Sequence, residues 1–147
     1  MNDHVKIIFN TVQIAEGYPP DAYEGIWAKL MANGNYEIDN IPFFIYNISA
    51  GDEVSANEVD GELFFSELVS KSGNSTFRVI SVDKDKSSYL RDKIKEFDCI
   101  TEYNGRLNLI AVEVPESVNI KPFLDFIMKA KSKNELDYDE GALRHVI

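Results

Sequence analysis

Two histidines, His4 and His145, and one cysteine, Cys99, are the side chains best suited by ordinary pKa to nucleophilic or general-base work near neutral pH. Both histidines lie close to chain ends, which commonly fray, so neither suits a Ser–His or Cys–His pair. Cys99 follows a predicted helix whose C-terminal end disfavours a thiolate, and it reads as a buried thiol. Ser72-Gly73-Asn74-Ser75-Thr76, with Arg78 two residues on, has the composition of a phosphate-cradling loop. A phosphate loop needs a lysine and a helix behind it, whereas this one opens a strand, so its hydroxyls are expected to serve local backbone groups. Arg78 is expected to pair with an acid across the sheet or an interface. Asp137, Asp139, Glu140 and Gly141 superficially suggest a calcium loop, but the bidentate acid would fall beyond Ile147. Asp52, Glu53, Glu58, Asp60 and Glu62 gather carboxylates around one predicted hairpin, where acid–base chemistry would require burial to separate their pKa values. No catalytic set, metal or cofactor is expected.

Charge separates the two halves of the chain. Fifteen basic and twenty-five acidic residues give a formal net of −10. Through Gly73 there are three bases against twelve acids, a net of −9, and the remainder carries only −1. Clustered Lys and Arg of the kind that releases phosphate counterions are missing, which argues against nucleic acid. A field of one sign steers a basic partner instead. No apolar run reaches the ~20 residues of a membrane span, and Met1-Asn2-Asp3-His4 lacks a leader's cationic head, so the expected location is cytoplasmic. Asn47-Ile48-Ser49 and Asn74-Ser75-Thr76 are then chance matches to glycosylation acceptors.

The elements that would position these residues change character near Gly73. Before it, β-prone runs cover Val5 to Val12, Tyr23 to Met31, Asn35 to Asp39, Pro42 to Tyr46, Glu53 to Asn57 and Glu62 to Ser70, with Asn33-Gly34 and Asp60-Gly61 as hairpin turns. Residues 1–73 are therefore expected to form an all-β unit, a twisted sheet or partial barrel. Residues 74–147 are expected to form a ferredoxin-like βαββα(β) unit, making the chain α+β overall. The strand over Thr76 to Val82 leads to a helix capped by Ser87 or Ser88 with a stripe of Leu90, Ile94 and Phe97. Ile100 to Tyr103 and Leu107 to Val114 pair across Asn104-Gly105. A second helix runs from Ile120 to Lys131, capped by Asn119, and Leu136 to Tyr138 supplies a short last strand. Phe43-Phe44 and Phe64-Phe65 each put one ring on either face of a strand, so one ring of each pair needs a second buried environment.

Several stretches together resemble the bacterial family known as domain of unknown function 4265. They are Asn35 to Phe44, which includes Asp39, Asn40, Pro42, Phe43 and Phe44; Gly51 to Val54; and Ser72 to Arg78, which includes Ser72, Gly73, Ser75, Thr76 and Arg78. Trp27, Leu109 to Pro115 and Leu136 to Glu140 extend the likeness over nearly the whole chain. Asn74 stands where that family often has histidine. The resemblance carries no activity, but small acidic members of such families are often proposed as immunity proteins.

The expected function is a non-enzymatic protein-binding module, an immunity or antitoxin-like inhibitor that covers a basic toxin surface. Its expected contact residues are Asp21, Glu24, Asp52, Glu53, Glu58, Asp60 and Glu62. The oligomeric state stays open. A small-molecule-sensing regulatory domain is the alternative, and a carboxylate-dependent enzyme around Asp52 or the Ser75-Thr76-Arg78 strand is the third reading.

Overall fold

The computed structural model describes residues 4–147; Met1 to Asp3, where the leader reading begins, lie outside it. Five strands, β1 (His4–Asn10), β2 (Tyr23–Leu30), β3 (Tyr36–Ile38), β4 (Glu53–Val59) and β5 (Glu62–Ser70), close into a barrel. Closure comes from a short parallel contact of β1 with β5, Ile7 against Leu63 and Ile8 against Phe64. The inward positions of β1 and β2 alternate strictly, Ile7 and Phe9 facing Ile26 and Ala28, and Ile38 and Val54 complete the same core with Ile45 and Ile48 from a loop. Each of the Ile, Val and Phe side chains among them contributes ~1.5–3 kcal/mol relative to exposure. Asp60 and Gly61 both take positive φ in the β4–β5 turn, as an Asp-Gly hairpin requires.

The chain then forms β6 (Ser75–Ser81), a 3-10 turn over Lys84–Lys86, α1 (Ser87–Lys95), β7 (Ile100–Asn104), β8 (Leu109–Val114), α2 (Lys121–Ser132) and β9 (Leu136–Ala142). The strands lie in the order β7-β8-β6-β9, all neighbours antiparallel. Both helices cover one face, on which Phe77, Val79, Ile110 and Val112 pack with Leu90, Ile94, Phe123 and Ile127. Thr76 and Arg78 point to the other face, toward the barrel.

The α+β class with a ferredoxin-like unit is overturned. The chain is mostly β, 42% strand and 17% helix, with two short helices and a closed five-strand barrel. Smaller elements also differ. Pro42 to Tyr46 is no strand, because its amides go to a carboxylate rather than a ladder. Ser87 does not cap α1; its hydroxyl donates to Asn108, while Asp83 caps the preceding 3-10 turn. The β7–β8 connection is wider than an Asn-Gly turn and takes its positive φ at Asn108. The last strand is seven residues long rather than a stub.

Candidate functional site

Glu24 sits on the inward parity of β2 with Ile26 and Ala28, opposite Phe9, at the barrel's end. Its carboxylate is buried and accepts the amides of Phe43, Phe44 and Ile45 at 2.6, 2.9 and 3.0 Å. From the sheet side, Arg78 is 4% exposed, donates from Nε to the Pro42 carbonyl at 3.3 Å and from Nη2 to the Ile45 carbonyl, and lies over the Tyr46 ring at 5.1 Å. Burial pulls the guanidinium's pKa down, and the fields of Glu24, Tyr46 and Asp139 oppose that shift. Gly141, the extra residue where the β6–β9 register shifts, is required here: a Cβ would collide with the guanidinium. Arg78 thus holds peptide carbonyls rather than the cross-sheet acid expected of it.

The same loop is held at two further points. Asn40 accepts the Trp27 amide at 2.6 Å, and its side chain and the Ile41 amide donate to Glu102 of β7. Tyr46 donates to Asp139 of β9, and burial together with that bond pushes the phenol up to about 12.

A second junction lies around Asp52, which is fully buried. It accepts the amides of Ser49 and Ser72 at 2.9 and 2.8 Å and a bidentate pair from Arg144 at 2.8 and 2.9 Å. Arg144 also reaches the carbonyls of Ser72 and Asn47. Ser49 and Thr76 share a hydroxyl bond, and Ser72 and Asn74 both donate to the Ala50 carbonyl. Ser75 does meet His145, at 2.6 Å, but Ser75 is fully buried and the other ring nitrogen faces the Pro115 carbonyl. That pair ties the C-terminal segment to β6 and offers no exposed nucleophile. Gly51 takes a φ of +85°, and a Cβ on Gly73 would collide with Glu116.

Glu24 and Asp52 are therefore removed from the expected contact surface, because their oxygens are spent on internal donors. Glu53 is half-buried and accepts from Asn33 and Asn35 at 3.0 and 2.7 Å. Asp21 is exposed but paired with Arg106 at 2.9 Å. Glu58, Asp60 and Glu62 are exposed around the β4–β5 turn, and none of them enters an ion pair among the described residues. Glu58 and Glu62 flank an open groove of about 700 Å³ with Trp27 and Tyr36. Trp27 is half-exposed there, with Lys6 lying 5.0 Å above its ring. Asp39 pairs with His4 at 2.5 Å and Lys29 at 3.7 Å.

Phe43 and Phe44 find their second environment at the barrel–sheet junction, with Tyr18 edge-on to Phe44 at 5.8 Å. Phe44 separates hollows of about 450 and 460 Å³. Among the described residues no cluster of His, Cys, Asp and Glu has metal-holding geometry, and no helix is long and apolar enough to cross a membrane. Sequence reasoning missed Arg144, Glu102, Tyr18, Tyr46 and Asp139 as partners of the motif. Only Glu24 carried a legible signal, its parity with Ile26 and Ala28.

No curated protein matches the chain. A hypothetical protein from Neisseria gonorrhoeae, known from a crystal structure, has a similar fold, with a TM-score of 0.78 at 24% identity, covering 99% of this chain and 98% of that one. The family model for domain of unknown function 4265 matches residues 24–138, a span that takes in the loop held by Glu24 and Arg78, so the chain belongs to that family.

Proposed function

We propose that this protein is a non-catalytic binding module that engages a basic protein partner through the β4–β5 hairpin, in the manner of an immunity or antitoxin-like inhibitor covering a basic toxin surface. The observation that carries the reading is the placement of Glu58, Asp60 and Glu62 around one exposed turn with no cation among the described residues paired to them. Three uncompensated charges on a rigid hairpin concentrate the field of a chain with net −10 at one point. Exposed apolar area lies beside them: Val59 at the turn and Trp27 across the groove, with the half-buried Tyr36 next to it. Aromatic anchors next to a charged rim are what a protein interface needs, charge giving rate and specificity and the rings giving burial.

The test is affinity capture from cells of the source organism, with the wild-type chain and a variant carrying Glu58→Lys, Asp60→Lys and Glu62→Lys as paired baits. The substitutions lie on exposed positions and leave both cores untouched. A basic protein retained by the wild type and lost by the variant is the expected result. Equal retention by both baits, or no basic protein on the wild type, contradicts the reading.

A further inference from the structure

The junction clamps the 42–46 loop from beneath and leaves its rings on a concave surface. The resulting cleft, about 450 Å³, is walled by Ile14, Tyr18 and Pro19 on one side, Phe43, Phe44 and Tyr46 on the second, and Asp137 to Asp139 of β9 on the third, with Arg78 and Ile80 of β6 as its floor. That volume lies in the range of small-molecule sites. We propose that this cleft is a binding site for a neutral, planar heteroaromatic molecule of one or two rings.

Three observations fix the class. The first is the wall chemistry: Tyr18, Phe43, Phe44 and Tyr46 are all partly exposed, and the rings of Tyr18, Phe43 and Phe44 meet at edge-on or tilted angles that leave faces for an offset-stacked guest. The second is charge. Arg78 and Lys131 balance Asp137 and Asp139 in the lining, so its formal charge sums to zero: Arg78 donates to two carbonyls and keeps Nη1 buried without a partner, Asp139 accepts from the Tyr46 hydroxyl, and Lys131 pairs with Asp137 at 2.9 Å. A charged ligand would lose its hydration and gain no net counter-charge from the lining, and the one unpartnered guanidinium nitrogen is itself buried out of reach. The third is the Tyr18 hydroxyl, which has no hydrogen-bond partner among the described residues. Burial pushes its pKa up, so it stays protonated at neutral pH and able to donate or accept one bond at the edge of a ring.

Preorganisation supports the same conclusion. Glu24, Glu102, Arg78 and Asp139 hold residues 40–46 at eight backbone or side-chain points, which fixes the backbone that carries Phe43 and Phe44 when the cleft is empty. The protein-binding reading concerns the opposite end of the barrel and is independent of this site.

The test is a two-dimensional ¹H–¹⁵N NMR titration of the full chain with indole, with benzoate and benzylamine as charged rings and N-acetyltryptophanamide as the same ring on a peptide. Indole is expected to shift resonances of residues 14–19, 43–46 and 137–139 saturably, with benzoate and benzylamine about ten-fold weaker. Tyr18→Phe, which removes one oxygen from a partly exposed ring, should weaken indole about five-fold, the worth of one hydrogen bond. Phe44→Leu should weaken it about ten-fold, and the dispersion of each variant's spectrum reports its fold. Unsaturable or scattered shifts, charged rings binding as well as indole, or indole binding unchanged by both substitutions would overturn the site. Tighter binding of N-acetyltryptophanamide than of indole would also overturn it, by moving the ligand to a protein side chain.

Discussion

Glu24 and Arg78 grip one five-residue loop by opposite ends of its peptide dipoles: the carboxylate takes the amides of Phe43, Phe44 and Ile45, and the guanidinium takes the carbonyls of Pro42 and Ile45. The two charges make no direct bond to each other, yet Arg78 lies in the field of Glu24 across the polarised backbone between them. Barrel and sheet are joined by that peptide. The family's motif residues therefore read as joinery, and the surface available to a partner lies elsewhere.

Glu24→Gln keeps the shape of the acceptor and removes its charge. Hydrogen bonds to a charged group are worth ~1.5–3 kcal/mol, and the variant also leaves Arg78 without its nearest buried counter-charge. Stability measured by urea unfolding should fall by about 2–3 kcal/mol, with resonances of 43–46 shifted in the native state.

Asp52 and Arg144 form the other junction, and the pair is stronger in geometry: bidentate, with the carboxylate fully buried. Arg144→Ala strands that carboxylate and should cost about 3–5 kcal/mol. Asp52→Ala with Arg144→Ala should cost clearly less than the sum of the single changes, a coupling that a double-mutant cycle in urea measures directly.

Glu113 gives a pH signature. Burial raises its carboxyl above the usual value, and the field of Glu102, itself raised by burial, adds to that. The folded state then holds its proton to higher pH than the unfolded state does. The contribution to stability is full below the ordinary pKa of 4.5 and is lost as pH rises through the folded value. Glu113→Gln should raise the Tm at pH 7, with the gain vanishing below about pH 4.

Cys99 is buried, and burial pushes its thiol up to about 12, with Asp98 and Glu113 adding to the shift. The native protein should react with a disulfide reagent such as DTNB far more slowly than the urea-unfolded chain. Comparable rates in both states would show that the 97–100 segment opens freely.

Much of the barrel was legible because it is local. Alternation in β1 and β2 and the two hairpin dipeptides required only neighbouring residues. The loop over Pro42 to Tyr46 reads as a strand from its apolar content, since nothing in those five residues reveals that a carboxylate nineteen to twenty-one positions earlier takes three of their amides. Glu24 reads as surface because it is charged, although its parity with Ile26 and Ala28 places it inside. Arg144 gave no signal: its partners Asp52, Ser72 and Asn47 are joined to it only by the fold. Closure of the barrel rests on Ile7 and Ile8 meeting Leu63 and Phe64, a parallel contact over some fifty-six residues that no turn encodes.

The most direct measurement is the association rate of the captured basic partner with the wild-type chain as salt is raised from ~50 to ~200 mM, where the Debye length shortens from ~14 to ~7 Å. The account predicts that the rate falls steeply over this range, and that the variant reversed at positions 58, 60 and 62 starts slow and stays flat. A rate that does not change with salt, or one that falls equally in both proteins, would contradict recognition through the hairpin's carboxylates.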